Sequence, residues 1–150
     1  MEDIQKLIGN RLRDLRKKKG LSQEQLGWKA PDHVVVPVGN GTLIWSIFEA
    51  FRELSLVGIT DRIPHITAVQ VENCDPVVHA WENELGEIIP VKDPKTVATA
   101  IACGDPIDGI AALNAIRESG GEAVRVSDRE VLSARDMLAS GGIFVEPSGA

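Results

Sequence analysis

The sequence predicts an α/β fold: a parallel sheet of about four strands flanked by helices, with an amphipathic basic helix in front of it. Three observations predict it. Short runs rich in β-branched or apolar residues recur at His33–Val36, Ile66–Val71, Glu122–Val126 and Ile143–Val145. Segments of helical spacing separate these runs, the pattern of β–α units rather than of hairpins. The first run holds three consecutive valines, as suits a strand buried on both faces of a parallel sheet.

In chain order, Ile4, Leu7, Ile8, Leu12 and Leu15 place an apolar stripe at helical spacing, and Arg16 to Lys19 crowd its carboxyl end. Gly20 is a C-cap candidate. Ser22 with Gln25 forms a capping-box pattern that restarts a short helix, and Pro31 ends it. Pro37 cannot donate to a sheet ladder, so it belongs near the carboxyl end of the first strand. From Thr42 the spacing turns helical, with Leu43, Ile47, Ala50 and Leu54 on one face. After the second strand, Asp75-Pro76 opens a helix carrying Val77, Val78 and Trp81. Asp93-Pro94 opens another, with Val97, Ala98 and Ile101 inward. Ile110, Leu113 and Ile116 mark a helix that runs up to Gly120-Gly121. Ser127 with Glu130 is a capping box for a helix stopped by Gly141-Gly142. The chain ends at Ala150, directly after the fourth strand, where an α/β fold calls for a covering helix, and this reads as truncation.

The segment Val38-Gly39-Asn40-Gly41-Thr42 is the candidate binding site. A strand, a glycine turn and a helix start aim free backbone N–H groups outward together, and the helix dipole adds to their pull on an anion. Asn40 tolerates left-handed backbone, and Thr42 can cap the helix or offer its hydroxyl. The loop is neither of the common nucleotide loops. Ile44 stands where a dinucleotide fingerprint has its third glycine, and no lysine follows Gly41 before Lys92. Spacing alone is equally consistent with an ordinary β–α turn that binds nothing.

Charge is unevenly divided. The chain carries a net −6, yet residues 1–29 hold eight Lys/Arg against four Asp/Glu, and the rest holds eight against eighteen. General nucleic-acid binding is therefore not expected. Cys74 and Cys103 stand apart, with no Cys-x-x-Cys, and His33, His65 and His79 lack ligand spacing. No structural metal site or disulfide framework is expected, and a reducing cytoplasm is the natural compartment. No apolar run reaches membrane-spanning length. The sequence leaves the oligomeric state open, a homo-oligomer included.

From about Glu24 to Ala150 the chain resembles threonine synthase, a pyridoxal-phosphate enzyme family of the tryptophan-synthase-β-like fold (fold type II). Gln25-Leu26-Gly27-Trp28-Lys29-Ala30-Pro31-Asp32 leads into Val36-Pro37-Val38-Gly39-Asn40-Gly41, which looks like the family's cofactor-phosphate loop. Pro94–Ile101, Ala115–Gly121, Val126-Ser127-Asp128 and Gly142–Pro147 match further blocks in order. The resemblance implies pyridoxal phosphate as cofactor and conversion of O-phosphohomoserine and water to threonine and phosphate. It also implies that the Schiff-base lysine lies upstream of the glycine loop, in a segment without counterpart here, so no catalytic residue is assigned. The group that meets the cofactor's ring nitrogen would lie beyond Ala150. A chain lacking both is expected to be inactive alone.

Residues 1–26 resemble instead the opening of a phage-repressor-type helix-turn-helix domain, through Ile8–Lys17 and Gly20–Leu26. The groove-reading helix that should follow is replaced by Gly27–Pro31 and a strand. The expected organisation is thus an incomplete helix-turn-helix-like segment over 1–26 and a cofactor-domain fragment over 27–150. A DNA-binding regulator with a truncated helix-turn-helix is the alternative function. DNA is not the expected partner, and a small phosphate-bearing molecule is.

Overall fold

In a computed structural model of the chain, residues 30–150 are described except Val57, together with Lys18. The helix-turn-helix-like segment 1–26 lies outside the described residues but for Lys18.

Three strands form one parallel sheet: β1 (His33–Pro37), β2 (His65–Val71) and β3 (Glu122–Val126), in that order across the sheet. Val34 faces Ile66 and Val36 faces Ala68, while Ala68 faces Ala123 and Val71 faces Val126. Pro37 is the last residue of β1, where a missing N–H costs the ladder nothing. Gly120-Gly121 turns the chain into β3, and a Cβ on Gly121 would lie 2.0 Å from the Ile66 carbonyl oxygen. Only glycine lets the two backbones approach there.

Both crossovers step in the same direction along the sheet, which lays their helices on one face. These are α1 (Thr42–Leu56), α2 (Pro76–Glu82) and α3 (Gly109–Glu118). The main core sits beneath them: Val36 and Val38, Ile66 and Ala68, Ile44 and Phe48, Val77, and Ala112, Ala115 and Ile116. The opposite face receives α4 (Asp128–Ser140), whose Val131 packs with Val71 and Ala98. Short 3-10 turns at Thr99–Ile101 and Pro147–Gly149 complete that side.

Four expectations need correction. Ile143-Phe144-Val145 pairs with no strand among the described residues, so the sheet has three strands there; Ile143 and Phe144 are exposed. Residues 94–101 do not form the expected α-helix, and only Thr99–Ile101 make a 3-10 turn. The Asp128 carboxylate accepts from the Thr96 hydroxyl and the Val97 N–H, and Val91 N–H donates to the Gly104 carbonyl, which holds the segment as an open strap. Ala98 is fully buried beneath it, but Val97 faces water. In α1 the buried pair is Ile44 and Phe48, with Leu43 exposed and Ala50 outward. That helix is apolar on most sides, so periodicity admitted more than one inward register. In α3, Leu113 and Ile116 are buried as expected, while Ile110 points to solvent.

Candidate anion-binding loop

Val38, Gly39, Asn40, Gly41 and Thr42 come together at the carboxyl end of β1, the end at which parallel α/β sheets hold their ligands. The turn forms because β1 stops at Pro37 and Val38 is the last residue tied to β2, its N–H donating to the Val69 carbonyl. Positive φ falls on Gly41 (+93°) and not on Asn40, which would have tolerated it. Helix α1 then starts, its first registered turn closing with Trp45 N–H on the Gly41 carbonyl. Among the described residues, the N–H groups of residues 39–44 have no acceptor. A cavity of about 270 Å³ opens onto them, walled on its far side by Ala100 and Ile101. Convergent N–H donors at the start of a 15-residue helix fit an anion the size of a phosphate.

Among the described residues, no lysine, arginine or histidine lines the cavity, so the pull on an anion comes there from backbone N–H groups. α1 carries no acidic residue in its first turn, so no side chain of its own neutralises the dipole there.

Residues from far along the chain hold the loop, and the sequence did not announce them. Asp108 N–H donates to the Asn40 carbonyl at 3.0 Å. The Asn40 side-chain oxygen accepts from the Cys103 thiol at 3.3 Å and from the Ile107 N–H at 3.4 Å. The Thr42 hydroxyl donates to the Asp108 carboxylate. Beneath the turn, the Gln70 amide donates to the Val38 carbonyl at 3.1 Å. Gly41 is required by this packing: a Cβ there would sit 2.6 Å from the Asp108 carbonyl oxygen. Gly41 is therefore explained in part by the start of α3 and not by a ligand alone.

Other features do not converge on a site. Cys74 is buried against the Ile101 carbonyl, and burial pushes its thiol pKa up, which keeps it an inert thiol. His33, His65 and His79 are at the surface, the first two with ring centres 5.1 Å apart. No cluster of three or more metal-ligating side chains occurs among the described residues. A broader groove lies between Trp81, Glu82, Glu84 and Arg117, but the Arg117 guanidinium is already given to the Leu85 carbonyl. No helix among the described residues is long and apolar enough to cross a membrane.

Residues 12–150 match the family described as pyridoxal-phosphate dependent enzyme. Threonine synthase of Methanocaldococcus jannaschii is 44% identical over 128 residues, and that of Methanosarcina acetivorans is 46% identical over the same length. Each alignment covers 85% of this chain and 32% of the relative, so the chain spans about a third of the length of these proteins. Among solved structures, a T.th. threonine deaminase superposes with a TM-score of 0.62 at 23% identity, covering 94% of this chain and 46% of that one. Maize serine racemase superposes with a TM-score of 0.61 at 22% identity, covering 79% and 34%. Those two likenesses speak for the fold. With the family match running through the strand, turn and helix just described, the chain belongs to the pyridoxal-phosphate dependent enzymes, a threonine-synthase-like member whose family cofactor is pyridoxal phosphate.

Proposed function

We propose that this chain holds the phosphate of pyridoxal phosphate on Val38-Gly39-Asn40-Gly41-Thr42, as part of an enzyme that makes threonine and phosphate from O-phosphohomoserine and water. The observation that supports it is the row of N–H groups at residues 39–44 without acceptors among the described residues, in a family whose cofactor carries a phosphate. When bound, the cofactor supplies an electron sink for carbanion chemistry.

The chain's own residues do narrower work. The loop N–H groups bind and orient a dianion by hydrogen bonds made stronger by its charge. Asn40, clamped by Cys103 and Ile107, fixes the turn so that those donors converge. Val38 and Ile44, both buried, form the dry floor beneath it. Among the described residues no lysine lines the cavity, and none of them is assigned the covalent attachment. Phosphate holding without turnover is the activity proposed for the chain by itself.

The test is titration of pyridoxal phosphate into the full chain and into Asn40→Asp. Aspartate keeps both acceptor contacts of Asn40 but adds a negative charge at the loop, so the fold should persist. The wild-type chain should melt at higher temperature as ligand is added. The variant's affinity should fall about tenfold or more, from charge repulsion at close range. Equal binding by both chains would remove the loop from the site.

A further inference from the structure

Asp108 occupies the N-cap of α3, yet its carboxylate makes no capping bond to that helix. A carboxylate at this position ordinarily accepts from the N–H two or three residues ahead. Instead it reaches across 66 residues of sequence to the Thr42 hydroxyl, at the first residue of α1. Two features of this contact matter together. A hydroxyl owns one proton, and Thr42 spends it on Asp108, leaving only lone pairs to face the cavity. The carboxylate also sets a full negative charge beside the start of a helix that lacks any acid in its first turn.

We propose that Asp108 is a built-in counter-anion of the loop: it stands in for the ligand's phosphate at Thr42 and must give up that contact when a phosphate binds. This rests on the cradle reading above and adds its regulation. In the unliganded chain, Asp108 satisfies the Thr42 hydroxyl and part of the α1 dipole, which steadies the empty loop. Toward an incoming dianion it repels, and it withholds the hydroxyl's proton. Asp108 thus sets how tightly the loop holds phosphate without touching the phosphate itself, as a positioning residue. Neutralising it should weaken the empty protein and strengthen binding, two effects of opposite sign from one change.

The experiment uses Asp108→Asn and Asp108→Ser in the full chain. Asparagine can donate its amide to the Thr42 oxygen and free the hydroxyl proton; serine can cap α3 by itself and keeps the test open should the first variant fold poorly. Inorganic phosphate and pyridoxal phosphate are titrated separately at matched ionic strength, with sodium chloride as control. Without phosphate Asp108→Asn should melt below the wild type, whereas Asp108→Ser, which gains a cap, is read by its phosphate affinity. With phosphate the gap should narrow or reverse, and phosphate affinity should rise about tenfold, the scale expected when one close charge is removed. Folded variants that bind phosphate no better than the wild type would overturn the inference, since a merely structural contact lowers stability without raising affinity. If neither the wild type nor the variants respond to phosphate or pyridoxal phosphate, the cradle reading fails first and takes the inference with it.

Discussion

Gln70 has no exposed surface, yet its amide is fully used. The nitrogen donates to the Val38 carbonyl, and the oxygen accepts from the Val77 and Val78 N–H groups at 2.9 and 3.1 Å. One side chain thereby ties the loop's entry to β2 and to the start of α2, whose N-cap Asp75 makes no capping bond. Gln70→Leu keeps the volume but strands two buried N–H groups and the Val38 carbonyl. The two donors alone should cost about 2–6 kcal/mol, since each unsatisfied buried donor costs about 1–3. Urea unfolding of the two chains measures this, and a loss under 1 kcal/mol would mean that water reaches those donors. Nothing in the sequence marked the role of Gln70, a polar residue that alternation places on the same strand face as the core residues Ile66 and Ala68. The strand–turn–helix around the loop was legible from Gly-x-Gly after a valine run, although that spacing alone fits an ordinary β–α turn equally well. Asp108, Cys103 and Ile107 were not, because each acts over more than sixty residues of separation and carries no local pattern.

Helix α4 shows where local rules suffice. Ser127 accepts from the Glu130 N–H at 3.3 Å, and Glu130 accepts from the Ser127 N–H at 2.8 Å. Both halves of the capping box expected from Ser-x-x-Glu are present. The Ser127 N–H first, and its hydroxyl second, hold the Glu130 carboxyl below the usual carboxylate range. A carboxyl with a lowered native pKa adds stability above its unfolded pKa, and that stability fades as pH falls through the native one. Ser127→Ala should therefore destabilise the protein by about 1 kcal/mol at neutral pH. The difference between the two chains should shrink in acid, as Glu130 protonates and the bond from the Ser127 hydroxyl to its carboxylate, which alanine lacks, weakens. A gap constant from neutral pH to pH 3 would show that the box does not depend on the carboxylate. The same local logic failed at 94–101. Asp-Pro is a sound helix opener, but the Asp128 carboxylate took the N–H and hydroxyl groups that would have begun the helix. Such competition lies outside any window of neighbouring residues.

Across the molecule, the two faces of the sheet are unequally covered. Three helices bury one face, whereas the other leaves Val35 65% exposed and Val124 37% exposed, with Phe144 85% exposed nearby in sequence to the Pro147–Gly149 turn. The expectation of a sheet covered on both faces is met by α4 only over the β2–β3 side, at Val71 and Val126. Val35, Thr67 and Val124 were legible as strand residues, but how far each would be covered depends on everything packed above them. Apolar dye should bind the folded chain at this surface. A Val35→Lys, Phe144→Lys pair should lower the dye signal while each change alters stability by no more than about 0.5 kcal/mol, as surface substitutions usually do. Unchanged dye binding would place the accessible apolar surface elsewhere.

Among the described residues, every long-range contact that clamps the loop from above comes from residues later in the chain than the loop itself. Chains are made at roughly 5–20 residues per second, so the 66 residues between Thr42 and Asp108 take roughly 3–13 s to synthesise. For that interval the first strand, turn and helix can exist on the ribosome without Ile107, Cys103 or Asp108 against them. The loop's N–H groups then face solvent with no carboxylate competing for Thr42. Cofactor present during translation would meet a more receptive, less ordered loop than cofactor added to the finished protein, and the order of synthesis and loading becomes a variable in how the site is filled.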